Sequence, residues 1–135
     1  MSEPSQARGP GYWVGWGMSG LAIAFMVMDL TMKLLALSFV TQASAALGYP
    51  ATAGFARELG VILLACTLLY AAPRTAVLGA VLLTGFLGGA VASHLRLGDP
   101  LFSHVLFGVY LGLLLWGGLW LRDPRVRALM PLRTP

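Results

Sequence analysis

Charge is what this chain has least of. Its 135 residues include nine Lys and Arg and five Asp and Glu, together about 10%, where a soluble domain carries roughly a quarter. Hydrophobic residues make up 58%. A soluble domain of this length exposes most of its residues to some degree and has no interior large enough to hide that much apolar surface. A water-soluble globule is therefore excluded, and lipid is the solvent the composition asks for. Cysteine is nearly absent too. Cys66 stands alone in "VILLACTLLY", which excludes an intrachain disulfide framework and any C-x-x-C thiol pair. It reads as a small buried hydrophobe. No glycine-rich phosphate loop and no haem or flavin motif occurs. The net charge of +4 comes from basic residues scattered at segment ends rather than gathered on a polar face. That pattern fits membrane topology and argues against a nucleic-acid partner.

What is present is four long apolar segments, at about 13–39, 51–72, 75–95 and 100–121. A helix needs about 20 apolar residues to cross a hydrocarbon core of about 30 Å. Backbone groups in lipid must be satisfied within the segment, so these are predicted to be helices. The A-x-A pattern in "SFVTQASAA" resembles a signal-cleavage site, but the preceding apolar run far exceeds the 7–15 residues of a signal core, so the first segment is kept. "APRT" and "RLGDP" are short links that make their flanking helices antiparallel neighbours, with Gly98 ending one helix and Pro100 starting the next. The longer "VTQASAALGYPATAG" has room for a short interfacial helix. The predicted fold class is an all-α membrane protein: four transmembrane helices in an up-down-up-down bundle.

Arginine counting sets the expected orientation. Arg8, Arg74, Arg122, Arg125, Arg127 and Arg133 fall on one side, and only Arg57 and Arg96 on the other. Basic residues stay cytoplasmic, so residues 1–12 form a cytoplasmic tail, 13–121 the membrane domain and 122–135 a basic cytoplasmic tail in an inner membrane. That last tail, "LRDPRVRALMPLRTP", suits anionic headgroups or simply anchors the topology. Trp13, Trp16, Trp116 and Trp120 fall at matching depth near the inner ends and read as an aromatic belt. Gly108 and Gly112 form a G-x-x-x-G, and Gly85, Gly89 and Ser93 repeat the spacing. Both stripes predict close helix crossings, with His104 turned toward protein.

The ionisable residues inside the segments carry the functional clue. At 1.5 Å per residue, Asp29, Lys33 and Glu58 lie about 13, 8 and 10 Å below the outer end. His94 and His104 sit near the same end, while the inner half holds almost nothing ionisable. Such groups are costly facing lipid and normally pair or line a cavity. Asp29, Lys33, Glu58, His94 and His104 are therefore predicted to converge as a ligand-binding or proton-handling site, or as a polar cluster that pins helix register. Asp29 and Lys33, four apart, can pair, or Lys33 can bridge to Glu58. No spacing motif supports a metal site.

From "ALGYP" and then "RELGVILLACTLLYAAPRT" to "LWGGLWLRDPR", with "SHLRLGDPLFSH" as the most specific stretch, the chain resembles the DoxX-like family of small bacterial integral membrane proteins. The resemblance implies a four-helix membrane bundle. It implies no single activity, because the family name comes from relatives of a thiosulfate:quinone oxidoreductase subunit, while distant relatives include receptor-assembly chaperones and cargo receptors. Two function classes follow. One is a lipid- or small-ligand-binding or accessory, chaperone-like protein, with a membrane-protein partner or a second copy. The other is a quinone-linked oxidoreductase component, for which a quinone would be the cofactor. The absence of cofactor motifs favours the first.

Overall fold

The computed structural model describes residues 8–133 and 135. Residues 1–7 of the expected N-terminal tail and Thr134 of the C-terminal tail lie outside the described residues. Six α-helices follow one another: α1 (Pro10–Leu34), α2 (Ser38–Ala46), α3 (Ala53–Ala71), α4 (Ala76–Arg96), α5 (Phe107–Arg122) and α6 (Pro124–Leu129). A π-helical turn, Leu101–Val105, leads into α5. No strand occurs among the described residues.

Four helices are long and apolar enough to cross a membrane, α1, α3, α4 and the continuous 101–122 segment, at 25, 19, 21 and 22 residues. Each buries one stripe at helical spacing: Ala22, Met26 and Leu30; Leu63, Cys66 and Tyr70; Ala80, Leu83 and Leu87; Leu111, Leu115 and Leu119. The opposite faces carry large apolar side chains that are half or more exposed, among them Leu21, Val61, Leu78 and Leu113. In water such a surface would drive aggregation. In lipid it is the ordinary outside of a spanning bundle. α1 packs on α3 and α5, and α4 also packs on α3 and α5, so α1 and α4 occupy opposite corners of an up-down-up-down four-helix bundle.

Small residues determine where the backbones touch, and of those the G-x-x-x-G spacing singles out only Gly108 is among them. A Cβ on Gly118 would stand 2.8 Å from the Gly15 carbonyl oxygen, and one on Gly79 would stand 2.2 Å from the Tyr70 nitrogen. The close crossings are therefore α1 on α5 at Gly15 and Gly118, and α3 on α4 in their hairpin. Gly108 is tight against Val91 and Leu87, but Gly112, Gly85 and Gly89 have open space where a Cβ would be. Those three face away from any neighbouring helix, which a single helix's spacing cannot reveal.

The first spanning helix ends at Leu34, although the apolar pattern runs on to Phe39. Ala36 adopts φ 50°. The Ala36 and Leu37 amides bond back to the Lys33 and Met32 carbonyls at 3.0 and 3.3 Å, a left-handed cap normally built on glycine. Arg57, from α3, completes it by donating Nε to the Leu34 carbonyl at 3.2 Å. The same device recurs elsewhere. Arg96 Nη2 donates to the Leu47 carbonyl at the end of α2. Arg127 Nη1 donates to the Trp120 and Leu121 carbonyls at the end of α5, each at 2.8 Å. Three arginines thus satisfy the carbonyls a helix end leaves without partners and complement its negative dipole.

Candidate functional site

One end of the bundle is built around the last turn of α4. Gly98, at φ 68°, ends the helix with its amide on the Leu95 carbonyl and the Asp99 amide on the His94 carbonyl, at 3.1 and 3.2 Å. This Schellman geometry brings the residue after the glycine back against the third position from the helix end, a contact usually made by two apolar side chains. Here the two positions hold His94 and Asp99, and Asp99 Oδ2 lies 2.6 Å from His94 Nδ1. Both side chains are about three-tenths exposed. With the carboxylate accepting, Nδ1 carries a proton, and in the neutral ring Nε2 presents a lone pair. That Nε2 has no hydrogen-bond partner among the described residues.

Pro100 then starts the π-helical turn, whose Val105 and Leu106 amides reach back five residues to the Pro100 and Leu101 carbonyls at 3.2 and 2.9 Å. Such wide turns recur at functional sites. This one places His104 edge-on to His94, with ring centroids 5.7 Å apart. His104 Nδ1 meets Ser103 Oγ at 2.8 Å. His104 is exposed rather than turned into the bundle as its Gly108 register predicts, because the π turn rotates residues 101–105 relative to α5. Beside it, Ser93 Oγ is 2.6 Å from the Tyr49 hydroxyl. Tyr49 is delivered by the cap of α2 at Gly48, φ 84°, and stacks on Phe55. α2 is therefore strapped across this end through Tyr49 and Arg96.

The other expected site residues lie apart. Lys33 Nζ pairs with Asp29 Oδ1 one turn away on α1, not with Glu58. α1 sits diagonally across from α4, and no hydrogen bond or ion pair among the described residues joins this pair to the histidines. Glu58 is exposed and makes no ion pair among the described residues, while its neighbour Arg57 serves the end of α1. The structure thus brings together His94 with His104, and Asp29 with Lys33, and leaves Glu58 alone. Asp99 is the member that the sequence reading passes over as a turn residue. Its signal was the spacing H-x-x-x-G-D, a histidine at the third position from a helix end followed by the capping glycine. No group of three His, Cys, Asp or Glu side chains among the described residues is placed to hold a metal ion.

The opposite end is less empty of polar chemistry than the sequence suggests. Tyr70, fully buried, donates its hydroxyl to the Leu115 carbonyl at 2.8 Å and lies 2.8 Å from Ser19 Oγ. Arg122 Nε donates to Ser19 Oγ at 3.2 Å, with its guanidinium 4.0 Å above the Trp16 ring. With Leu115 accepting from Tyr70, Ser19 donates to Tyr70 and accepts from Arg122, so one directed chain links α1, α3 and α5. Trp116 and Trp120 are likewise tethered, to Thr84 Oγ1 and to the Met130 carbonyl, at 2.8 and 2.9 Å.

The sequence profile of the DoxX-like family matches residues 17–118, three-quarters of the chain, covering the second and third spans and most of the first and fourth. The chain belongs to the DoxX-like family. No curated protein and no solved structure matches it. The matched stretch of this DoxX-like protein holds His94, Asp99, His104, Asp29 and Lys33, and it stops short of Arg122 and α6. With four spanning helices, it is a multi-pass membrane protein.

Proposed function

We propose that this DoxX-like protein binds a small amphipathic ligand at the end of the bundle formed by His94, Asp99 and His104. The observation that carries the reading is the Asp99-held imidazole of His94 at the end of a spanning helix, edge-on to a second histidine. The His94 Nε2 nitrogen is accessible rather than buried, so a donor on a ligand can reach it. A lipid-like molecule with a hydroxyl or phenolic head fits, its apolar part lying along the exposed leucines. The arginine distribution supports a bacterial inner membrane with both termini cytoplasmic, which puts the site on the outer side. An accessory, chaperone-like role toward another membrane protein is the same reading with a protein segment as the ligand. The histidine pair also favours a second reading, a quinone-linked component in which His94 and His104 each take one of the two protons released by a quinol, with its two electrons passing to a redox partner subunit.

The test is purification in mild detergent from native membranes, followed by mass spectrometry of what is retained. The wild-type protein is expected to carry a defined lipid or quinone, and Asp99→Asn, which weakens the hold on His94, to carry about tenfold less, the loss of one charge-assisted hydrogen bond. A quinone selects the second reading, and another amphiphile the first. Identical bulk-lipid profiles from wild type and from His94→Ala would sink both.

A further inference from the structure

The end of the bundle away from the histidines carries a second site. We propose that a groove between the start of α1 and the α5–α6 corner binds the phosphate of an anionic phospholipid. The groove is about 440 Å³ and is lined by Arg8, Arg122 and Arg127, with Tyr12 and Trp120 as aromatic walls. No acidic side chain among the described residues lines it. The neighbouring groove at the same end differs, because there Asp123 lies 3.5 Å from Arg125 and supplies a counter-charge from within.

The three guanidiniums are held in place by groups that do not neutralise them. Arg122 spends Nε on Ser19 and lies over Trp16. Arg127 spends Nη1 on two backbone carbonyls. Arg8 stands 4.9 Å above the Tyr12 ring and makes no hydrogen bond among the described residues. The remaining N–H groups of all three are free to donate, and planar guanidinium forks match phosphate oxygens in pairs. Three like charges around one groove repel one another, and an anion among them relieves that repulsion.

Depth identifies the anion. Trp120 walls the groove, Trp16 lies under the Arg122 guanidinium, and exposed Trp13 stands edge-on to Tyr12, an aromatic cluster of the kind that marks the headgroup layer. A lipid phosphate lies at that level with its acyl chains against such a surface. A free phosphate ion would have no such contact.

Native mass spectrometry of the full-length protein, released from detergent in the presence of phosphatidylglycerol or phosphatidylcholine, tests the assignment. Phosphatidylglycerol is expected to be retained at least tenfold better. Arg8→Gln, which breaks no hydrogen bond among the described residues, should lower retention about fivefold, and the Arg8→Gln/Arg127→Gln double variant should lower it further. Arg133→Gln removes the same charge outside the groove and should change nothing. Equal retention of the two lipids, an equal loss with Arg133→Gln, undiminished retention in Arg8→Gln, or displacement of the lipid by millimolar inorganic phosphate would each overturn it.

Discussion

Consider a single methyl group added at Gly118, and the same methyl added six residues earlier at Gly112. At Gly118 the new Cβ would stand 2.3 Å from Ser19 Oγ, 2.8 Å from the Gly15 carbonyl oxygen and 2.9 Å from the Ser19 nitrogen. The hydroxyl can rotate away, but two of those atoms are backbone, so α1 and α5 must part. Overpacking of this kind costs about 1–3 kcal/mol. Loosening the Ser19 bonds to Tyr70 and Arg122 adds about 1 kcal/mol, and the better helix propensity of alanine returns about 1 kcal/mol. Gly118→Ala is therefore expected to destabilise by about 2 kcal/mol. At Gly112 nothing lies within 4 Å, so only the propensity term remains and Gly112→Ala should stabilise by up to about 1 kcal/mol. At roughly 4 °C per kcal/mol for a chain of this size, the two variants should differ in melting temperature by about 10 °C. Cys66 is buried and is the only thiol, so a thiol-reactive fluorogenic dye reports unfolding in detergent without further labelling. If the two variants melt within about 2 °C of each other, the helix crossing is not where the structure puts it.

Ala36→Gly should raise stability by about 1 kcal/mol, since the residue holds φ 50° where a side chain is penalised; a drop on the same dye assay would argue against the cap. Tyr70→Phe should lower the melting temperature by roughly 4–8 °C, because the Leu115 carbonyl and Ser19 lose their buried partner, worth about 1–2 kcal/mol. An unchanged melting curve would mean that the Ser19–Tyr70–Arg122 chain contributes nothing. Gly98→Ala should detach Asp99 from His94 by straining the left-handed turn, so ligand retention should fall as it does in Asp99→Asn; full retention would separate the cap from the site. For orientation, a cysteine at Gln42 in a Cys66→Ser background should label from outside intact cells, and labelling only after the membrane is opened would reverse the topology.

The spans were legible in the sequence because a lipid solvent imposes one strong requirement, about 20 apolar residues with their backbone satisfied internally. The details that escaped depend on contacts between helices. Nothing in "KLLALSFV" marks the end of α1, since the cap uses an alanine in a glycine's conformation and a donor, Arg57, 23 residues further on. The fourth span alone holds Gly108, Gly112, Gly117 and Gly118, and only the position of α1 selects Gly118 as the crossing point. The Asp29–Lys33 pair could be read because it lies within one helix turn. The tie of His94 to Asp99 needed a turn geometry rather than a periodicity, and the distance between α1 and α4 needed the arrangement of the whole bundle. Ser19 and Tyr70, 51 residues apart, look like an ordinary serine and an ordinary tyrosine until the helices meet.

The arginine caps also bear on the order in which the chain is made. Each reaches back to a helix synthesised earlier: Arg57 to the end of α1, Arg96 to the end of α2 and Arg127 to the end of α5. The carbonyl of Leu34 stays dependent on water until α3 emerges, and that of Leu47 until the whole of α4 has crossed. A nascent chain halted after Pro73 has therefore closed its first helix but not its strap, and α2 should be open to protease in that intermediate and protected once residue 96 is in place. Maturation of the histidine end, and of any site it covers, is timed by the passage of α4 rather than by the three helices before it.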